Sequence, residues 1–376
     1  MRHYQHVLRM AALAALLAPA LGSAAPLYRV TPIAGIGGAS GDVHDLNNLG
    51  QVVGYALGAN NLASAYVATN GLSTSLQPLG ASASDAASIN DAGQIAGSVT
   101  SVGVTRAVVF ANGGVTSLGT LGGPGADSVG AAINAGGQVA GSAKLADHDT
   151  EHAFRYTPGG ALLDLGTLGG ANSMGLGING AGTVVGRADT SAGSYHAFAY
   201  SAGAMRDLGT LGGTFSAANA INDQGLVAGF SYTAGDAYAH GFLYDGARMT
   251  DLHTLGGANS YALGINNLGQ AVGSSETGVG DAVHAFLYAN GAMSDLNTLV
   301  GPGFDYVLRY AADINDHGQI AAFGCDGSGT ACQAFLLSPT APVPEPDSWA
   351  MLGAGAMLVA LAGRGARLTR RAAGRG

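Results

Sequence analysis

One phrase recurs seven times along this chain of 376 residues. It is Ile-Asn (Leu-Asn once), two variable residues, a glycine, and a short apolar run ending in a small residue. The cleanest copies are "INDQGLVAGFS" at 221–231, "INDAGQIAGS" at 89–98 and "INNLGQAVGS" at 265–274. The asparagines are Asn47, Asn90, Asn134, Asn179, Asn222, Asn266 and Asn315, spaced 43, 44, 45, 43, 44 and 49 residues apart. A period of this size points to a solenoid, a propeller or an array, because one such unit cannot bury its apolar face alone.

A whole unit, residues 208–251, divides into four strand-like pieces: "SAANAIN", "LVAGFSY", "HGFLY" and "MTDLHTL". Turn residues separate them, and helical periodicity is absent. The Asn-x-x-Gly turn has a physical reason. Asparagine accepts a bond from the backbone two residues on, and glycine takes the positive φ that a side chain resists. Four antiparallel strands per unit describe the blade of an all-β propeller. An open solenoid is the alternative, and the phasing of the ends separates the two. The last unit lacks a fourth strand. The segment "LYRVTPIAGIGGAS" at 27–40 aligns with a fourth strand that has no unit of its own. The sequence therefore predicts a seven-bladed propeller over 25–340, in which residues 27–33 pair with "QAFLLS" and close the last blade. An open stack would leave both edges exposed.

The two ends read as an export apparatus. Arg2 and Arg9, an apolar Met10–Leu21 and a small-residue site before Ala25 give a signal peptide over 1–24, with twelve apolar residues too few to span a bilayer. Residues 341–376 combine Pro344-Glu345-Pro346, an apolar Trp349–Gly363 and five arginines at 364, 367, 370, 371 and 375. The arginines would hold that end in the cytoplasm. This tail resembles the PEP-CTERM sorting signal of Gram-negative bacteria. The resemblance implies an exosortase as processing partner, a short transmembrane helix as transient anchor, and a cell-surface or matrix location, often beside exopolysaccharide. A plain membrane anchor is the alternative.

The repeat resembles the extracellular HAF family over about residues 31–338. "DLGTLGG", the Ile-Asn phrase and "HAF" carry the likeness, with "HAF" at 152–154, 196–198 and 284–286 and "HGF" at 240–242. That resemblance implies a surface protein without an assigned activity. His152, His196, His240 and His284 recur every 44 residues. They fall on third strands, away from the axis, so the expectation is one hydrogen bond per blade rather than a shared metal ring. No metal site and no cofactor is expected. The "LGTLGG" phrases precede no helix, so they read as tight crossings and not as phosphate loops.

Residues 26–343 hold eight basic and 22 acidic residues, a net charge of −14. Such a surface repels nucleic acid. Cys325 and Cys332 flank a Gly-rich turn and are placed to pair in an oxidising compartment; free thiols are the alternative.

Function is sought in what does not repeat, since binding residues favour variable loops on a rigid scaffold. The second-to-third-strand loops carry Asp147, His148, Asp149, Glu151, Asp189, Asp236, Glu276, Asp281 and Asp326, with Tyr195, Tyr232 and Tyr238 interleaved. The one long insertion, "VGPGFDYVLRYAAD" at 300–313, brings Asp305, Tyr306, Arg309 and Tyr310. These four are the predicted ligand site, suited to an extracellular glycan or a surface protein. A polysaccharide-acting hydrolase or lyase on the same propeller is the alternative. No nucleophile elbow, Cys-His pairing or zinc-protease motif singles out a catalytic residue.

Overall fold

The Asn-x-x-Gly turns explain how the chain is organised. In each, the asparagine Oδ1 caps its own turn; Asn222 Oδ1, for example, accepts from the amides of Gln224 (3.1 Å) and Leu226 (2.9 Å). The glycine of all seven turns sits at φ between +71° and +84°, where a side chain would be strained. Each turn joins the first and second strands of a four-stranded antiparallel sheet. The computed structural model describes residues 28–340 except 35–40, 59, 60, 77, 79, 279 and 281. The expected signal peptide, 1–24, and sorting tail, 341–376, lie outside the described residues. Among the described residues, no helix is long and apolar enough to cross a membrane.

Seven such sheets form a β-propeller. The innermost strands of blades one to seven are Gly41–Leu46, Ala83–Ile89, Ser128–Ile133, Gly169–Ile178, Gly212–Ile221, Gly256–Ile265 and Tyr306–Ile314. The last blade is composite. Its three C-terminal strands, Tyr306–Ile314, Ile320–Asp326 and Cys332–Pro339, are completed by Tyr28–Pro32, with Tyr28 opposite Pro339 and Pro32 opposite Phe335. Leu27, expected at the head of this strand, lies outside the described residues. The insertion after blade six helps hold the closing strand: Tyr28 donates to Leu299 O (2.8 Å) and bridges to Val300.

Apolar cores lie between blades rather than within them. The third-strand phenylalanines Phe154, Phe198, Phe242, Phe286 and Phe335 are almost fully buried, each ring worth about 2–3 kcal/mol in area removed from water. The core at the closing seam mixes Val43, Leu46 and Tyr66 of blade one with Ala321 and Leu336 of blade seven and Ile33 beside the closing strand. The histidines take the expected local role. Nδ1 of His152, His196, His240 and His284 faces a carboxylate on the outer strand of its own blade, Asp164, Asp207, Asp251 and Asp295, at 2.7–2.9 Å. A serine entering the next blade adds an inter-blade bond: Ser84, Ser128, Ser173, Ser216 and Ser260 accept from third-strand amides at 2.8–3.0 Å.

The asparagines themselves join blade to blade. Each Nδ2 donates to the carbonyl of the asparagine in the next blade at 2.9–3.2 Å, and Asn315 donates to Asn47 to close the circle. All seven are buried. Replacing Asn222 by Ala removes two cap bonds and one inter-blade bond and leaves buried backbone groups unpaired. It should cost about 2–4 kcal/mol in denaturant unfolding, against a much smaller loss for the exposed Asn112→Ala.

Cys325 and Cys332 stand opposite each other across the second hairpin of blade seven and are disulfide-bonded, with Cα atoms 4.0 Å apart. The paired Cys325→Ser and Cys332→Ser replacements should lower stability by about 2–3 kcal/mol by the chain-entropy argument. Tryptic mapping without reductant should recover the two peptides linked.

Candidate functional site

Every innermost strand carries a β-bulge just before its repeated asparagine. A bulge leaves one residue unpaired and re-aims its side chain. The bulged residues are His44, Ala87, Ala131, Leu176, Asn219, Leu263 and Ala312, and all seven line an axial chamber of about 290 Å³. The bulge also accounts for the glycine that ends the phrase. A Cβ on Gly54, Gly97, Gly141, Gly186, Gly229 or Gly273 would overlap a carbonyl oxygen of the innermost strand. Blade seven has Ala322 there. Its inner strand carries a second bulge, at Arg309, which shifts that contact.

The chamber is mostly built of apolar residues; apart from Asn219 of blade five, its polar exceptions, His44, Asp45, Ser88 and Asp313, gather on blades seven, one and two. Two residues before each asparagine stand Asp45, Ser88, Ala132, Gly177, Ala220, Gly264 and Asp313. Only the two blades at the closing seam carry acids. Asp45 and Asp313 are hydrogen-bonded to each other. Asp45 accepts from the amides of Leu46 (2.7 Å) and Ile89 (2.8 Å), so it also braces blade one to blade two. Burial, then the neighbouring Asp45 charge, pushes the Asp313 carboxyl well above the usual carboxylate range. What exposure the pair retains is to the narrow lumen, where burial beside the Asp45 charge favours the protonated form of Asp313.

Further polar groups continue from this pair along the same three blades. His44 Nδ1 lies 3.2 Å from Ala86 O and 3.3 Å from Asp85 Oδ1, a buried oxygen with no other partner among the described residues. Burial alone would lower the His44 pKa, but Asp85 and Asp42 more than offset it, and the net shift is upward. Asp42 is itself raised, chiefly by burial, and it accepts hydrogen bonds from the Tyr310 hydroxyl and the Val43 amide. The ring of Tyr55 lies 5.6 Å from that of His44. Blades seven, one and two thus bring together Asp42, His44, Asp45, Asp85, Tyr310 and Asp313, of which His44, Asp45 and Asp313 line the chamber. The arrangement offers carboxylate acceptors, one imidazole and one carboxyl raised towards its protonated form.

The structure divides the four residues predicted from the insertion. Tyr310 joins this axial group, its ring stacked on Phe323 at 5.5 Å. Arg309 is the extra residue of the second bulge, half-buried, and makes no hydrogen bond or ion pair among the described residues. Tyr306 packs on Phe335 at 5.2 Å, against the core of blade seven. Asp305 is exposed. The four therefore do not form one loop cluster, and Tyr306 and Tyr310 are packed within blade seven rather than free on a loop.

The acidic loop residues are largely engaged in clipping loops. Asp189 accepts from Asn172, Asp236 from Thr214 and Glu276 from Asn259, each anchoring the crossing that enters the next inner strand. Asp147 and Asp326 cap their own turns. Asp149 stands exposed beside Asp147, and Glu151 accepts from Ser142 (2.5 Å). Asp281 lies outside the described residues. Tyr195, Tyr232 and Phe215 pack on one another. Sequence reasoning missed Asp42, His44, Asp45, Asp85 and Asp313. The available signal was the pair of acids at a position held by small residues in the other five repeats.

No family model and no curated protein matches the chain. Solved structures match its fold. A puromycin-hydrolysing peptidase from Mycobacterium tuberculosis is 10% identical with a TM-score of 0.50 over 86% of this chain, which spans only 56% of that protein. YCF48 bound to D1 peptide is 12% identical with a TM-score of 0.51, covering 85% of this chain and 96% of that one. The β-propeller domain of the Trilobed protease from Pyrococcus furiosus is 9% identical with a TM-score of 0.51, covering 81% and 99%. At such identities the likeness is one of fold.

The raised Asp313 carboxyl gives a pH prediction. The folded state holds a proton that the unfolded chain releases near pH ~3.9. Stability contributed by this group is therefore present at low pH and declines as pH rises from the ordinary carboxylate range through the folded pKa. Asp313→Asn mimics the protonated form and removes the decline. The variant's melting temperature should exceed the parent's at neutral pH, with the gap closing towards pH 4. His44 changes in the same direction from about pH 6.5 upward and remains in both proteins, so the difference between them isolates Asp313.

Proposed function

We propose that this chain is an exported cell-surface or matrix-associated binding module that takes an extracellular glycan at the axial opening between blades seven, one and two. The observation that carries the reading is the clustering of the non-repeating polar groups. Repeated residues build a symmetric ring, whereas Asp42, His44, Asp45, Asp85, Arg309, Tyr310 and Asp313 belong to three adjacent inner strands, and His44, Asp45 and Asp313 among them line the axial chamber. Carboxylates that accept hydroxyl protons beside an aromatic ring suit a polyhydroxylated ligand, with the ring supplying apolar contact. The expected signal peptide and the resemblance of the tail to the PEP-CTERM signal support export, exosortase processing near Pro344-Glu345-Pro346 and transient anchoring.

A hydrolase or lyase is the second reading, and the adjacent carboxyls of Asp45 and Asp313 favour it. Two carboxyls with separated protonation can divide acid and base roles. Directly hydrogen-bonded, the pair leaves no room between its members for a sugar oxygen, which a glycosidase needs. A peptide-binding role on the same face draws support from YCF48, a propeller of this fold bound to a peptide.

The test uses purified full-length protein on a glycan array and in a polysaccharide-degradation assay. Binding without degradation is expected. Arg309→Ala and His44→Ala should each reduce binding at least tenfold with the melting temperature held within a few degrees. Unaltered binding by both variants would place the site elsewhere. Product release by the parent, lost in Asp313→Asn, would establish the enzyme reading instead.

A further inference from the structure

The outer edge of blade five departs from its sister blades at one residue. Two positions after the outer-strand aspartate, blades three, four and six carry Gly166, Gly209 and Asn297; blade five carries His253. Gly166 and Gly209 hold φ of +72° and +78°, and His253 keeps the same backbone at φ +60°, which costs a residue with a Cβ. The substitution places a second imidazole at a carboxylate that already has one. His240 Nδ1 lies 2.9 Å from Asp251 Oδ2, and His253 Nδ1 lies 3.4 Å from the same oxygen. One ligand atom from each of the three residues falls within 4.8 Å of the others.

We infer that His240, Asp251 and His253 form a binding site for a zinc-class divalent ion on the variable face of blade five. The geometry suits the ion. Bonds of about 2.0–2.2 Å to nitrogen and oxygen in a tetrahedron put neighbouring ligands about 3.3 Å apart, and the two measured separations bracket that value. The donor set of two imidazoles and a carboxylate is borderline-soft, which disfavours calcium and magnesium. His240 and Asp251 are already positioned by the brace shared with three other blades, so ordering falls mainly on His253, whose side chain is 80% exposed. Three protein ligands leave one position open. It faces a groove of about 570 Å³ bordered by Tyr238, Thr254 and Ala258, large enough to admit water or an oxygen of a bound molecule. The other three His–Asp pairs lack the third ligand and serve as internal controls.

The test is titration of metal-freed full-length protein with zinc chloride, followed by calorimetry and thermal melting. One tight site per chain is expected, with a rise in melting temperature, because an ion that binds only the folded state stabilises it. Cobalt(II) in its place should give the intense visible absorption of a tetrahedral site. His253→Gly restores the residue of two sister blades and relieves the positive φ, so it should fold at least as stably without metal. It should also lose zinc affinity at least tenfold and lose the cobalt spectrum. Asp251→Asn should lose them too. The inference is overturned if the parent binds no zinc at one equivalent, or if His253→Gly binds as the parent does.

Discussion

The propeller is held at its axis by a closed circle of seven asparagine side chains. Six of the seven meet three demands at once, accepting two amides of their own turn and donating to the next blade's carbonyl, as Asn222 does; Asn179 accepts one amide and donates likewise. No other side chain supplies that combination. Aspartate lacks the donor and would bury a charge, glutamine is a methylene too long, and serine has one oxygen for both tasks. The circle therefore constrains the sequence at a spacing of one blade, and it explains why the most uniform phrase in the chain is also its least exposed. The bulge, the glycine that admits a close carbonyl and the collar of isoleucines all follow from bringing seven inner strands to one axis.

Uniformity at the axis makes departures informative. A residue that faces the lumen in one blade has six counterparts in equivalent surroundings. Five of the seven residues two places before the asparagine are small. Side chains there crowd the adjacent strand; a Cβ on Gly264 would overlap Asp313. Asp45 and Asp313 stand where the same frame elsewhere tolerates almost nothing. The brace of Asp45 to the Ile89 amide matches that of Ser88 to Ile133, so part of its role is structural. A serine would suffice for that part. The second carboxyl, raised by burial and then by the Asp45 charge, is beyond what bracing requires.

The sequence carried the fold because the fold is periodic. Turn chemistry, strand alternation and complementary ends all pointed to the same ring, and "HAF" was placed on the third strand with its histidine bonded inside the blade. The site was less legible for a physical reason. Aromatic and charged residues in a long insertion read as exposed loop, yet Tyr306–Ile314 is strand, with one added residue, Arg309, taken up in a second bulge. The acids of the variable loops read as a free rim, but Asp189, Asp236 and Glu276 are satisfied by the next crossing, a contact between segments 17 to 22 residues apart. His253 was visible as "DLHTL" among "DLGTL" phrases, though its carboxylate partner becomes evident only when the outer strand is paired.

The position of the acids at the closing seam ties the site to the completeness of the ring. Asp45 and Asp313 are 268 residues apart in sequence. They meet only when blade seven packs on blade one, an event that also joins Asn315 to Asn47 and places Tyr310 on Asp42. Before closure each carboxyl is solvated and ionised at neutral pH. Closure buries Asp313 beside the Asp45 charge, so joining blade seven to blade one works against an electrostatic cost. The Cys325–Cys332 bond, the buried seam core and the added N-terminal strand are all concentrated in the blade that meets this cost. The polar site is thus absent from every partly assembled form of the chain and comes into being with the finished propeller.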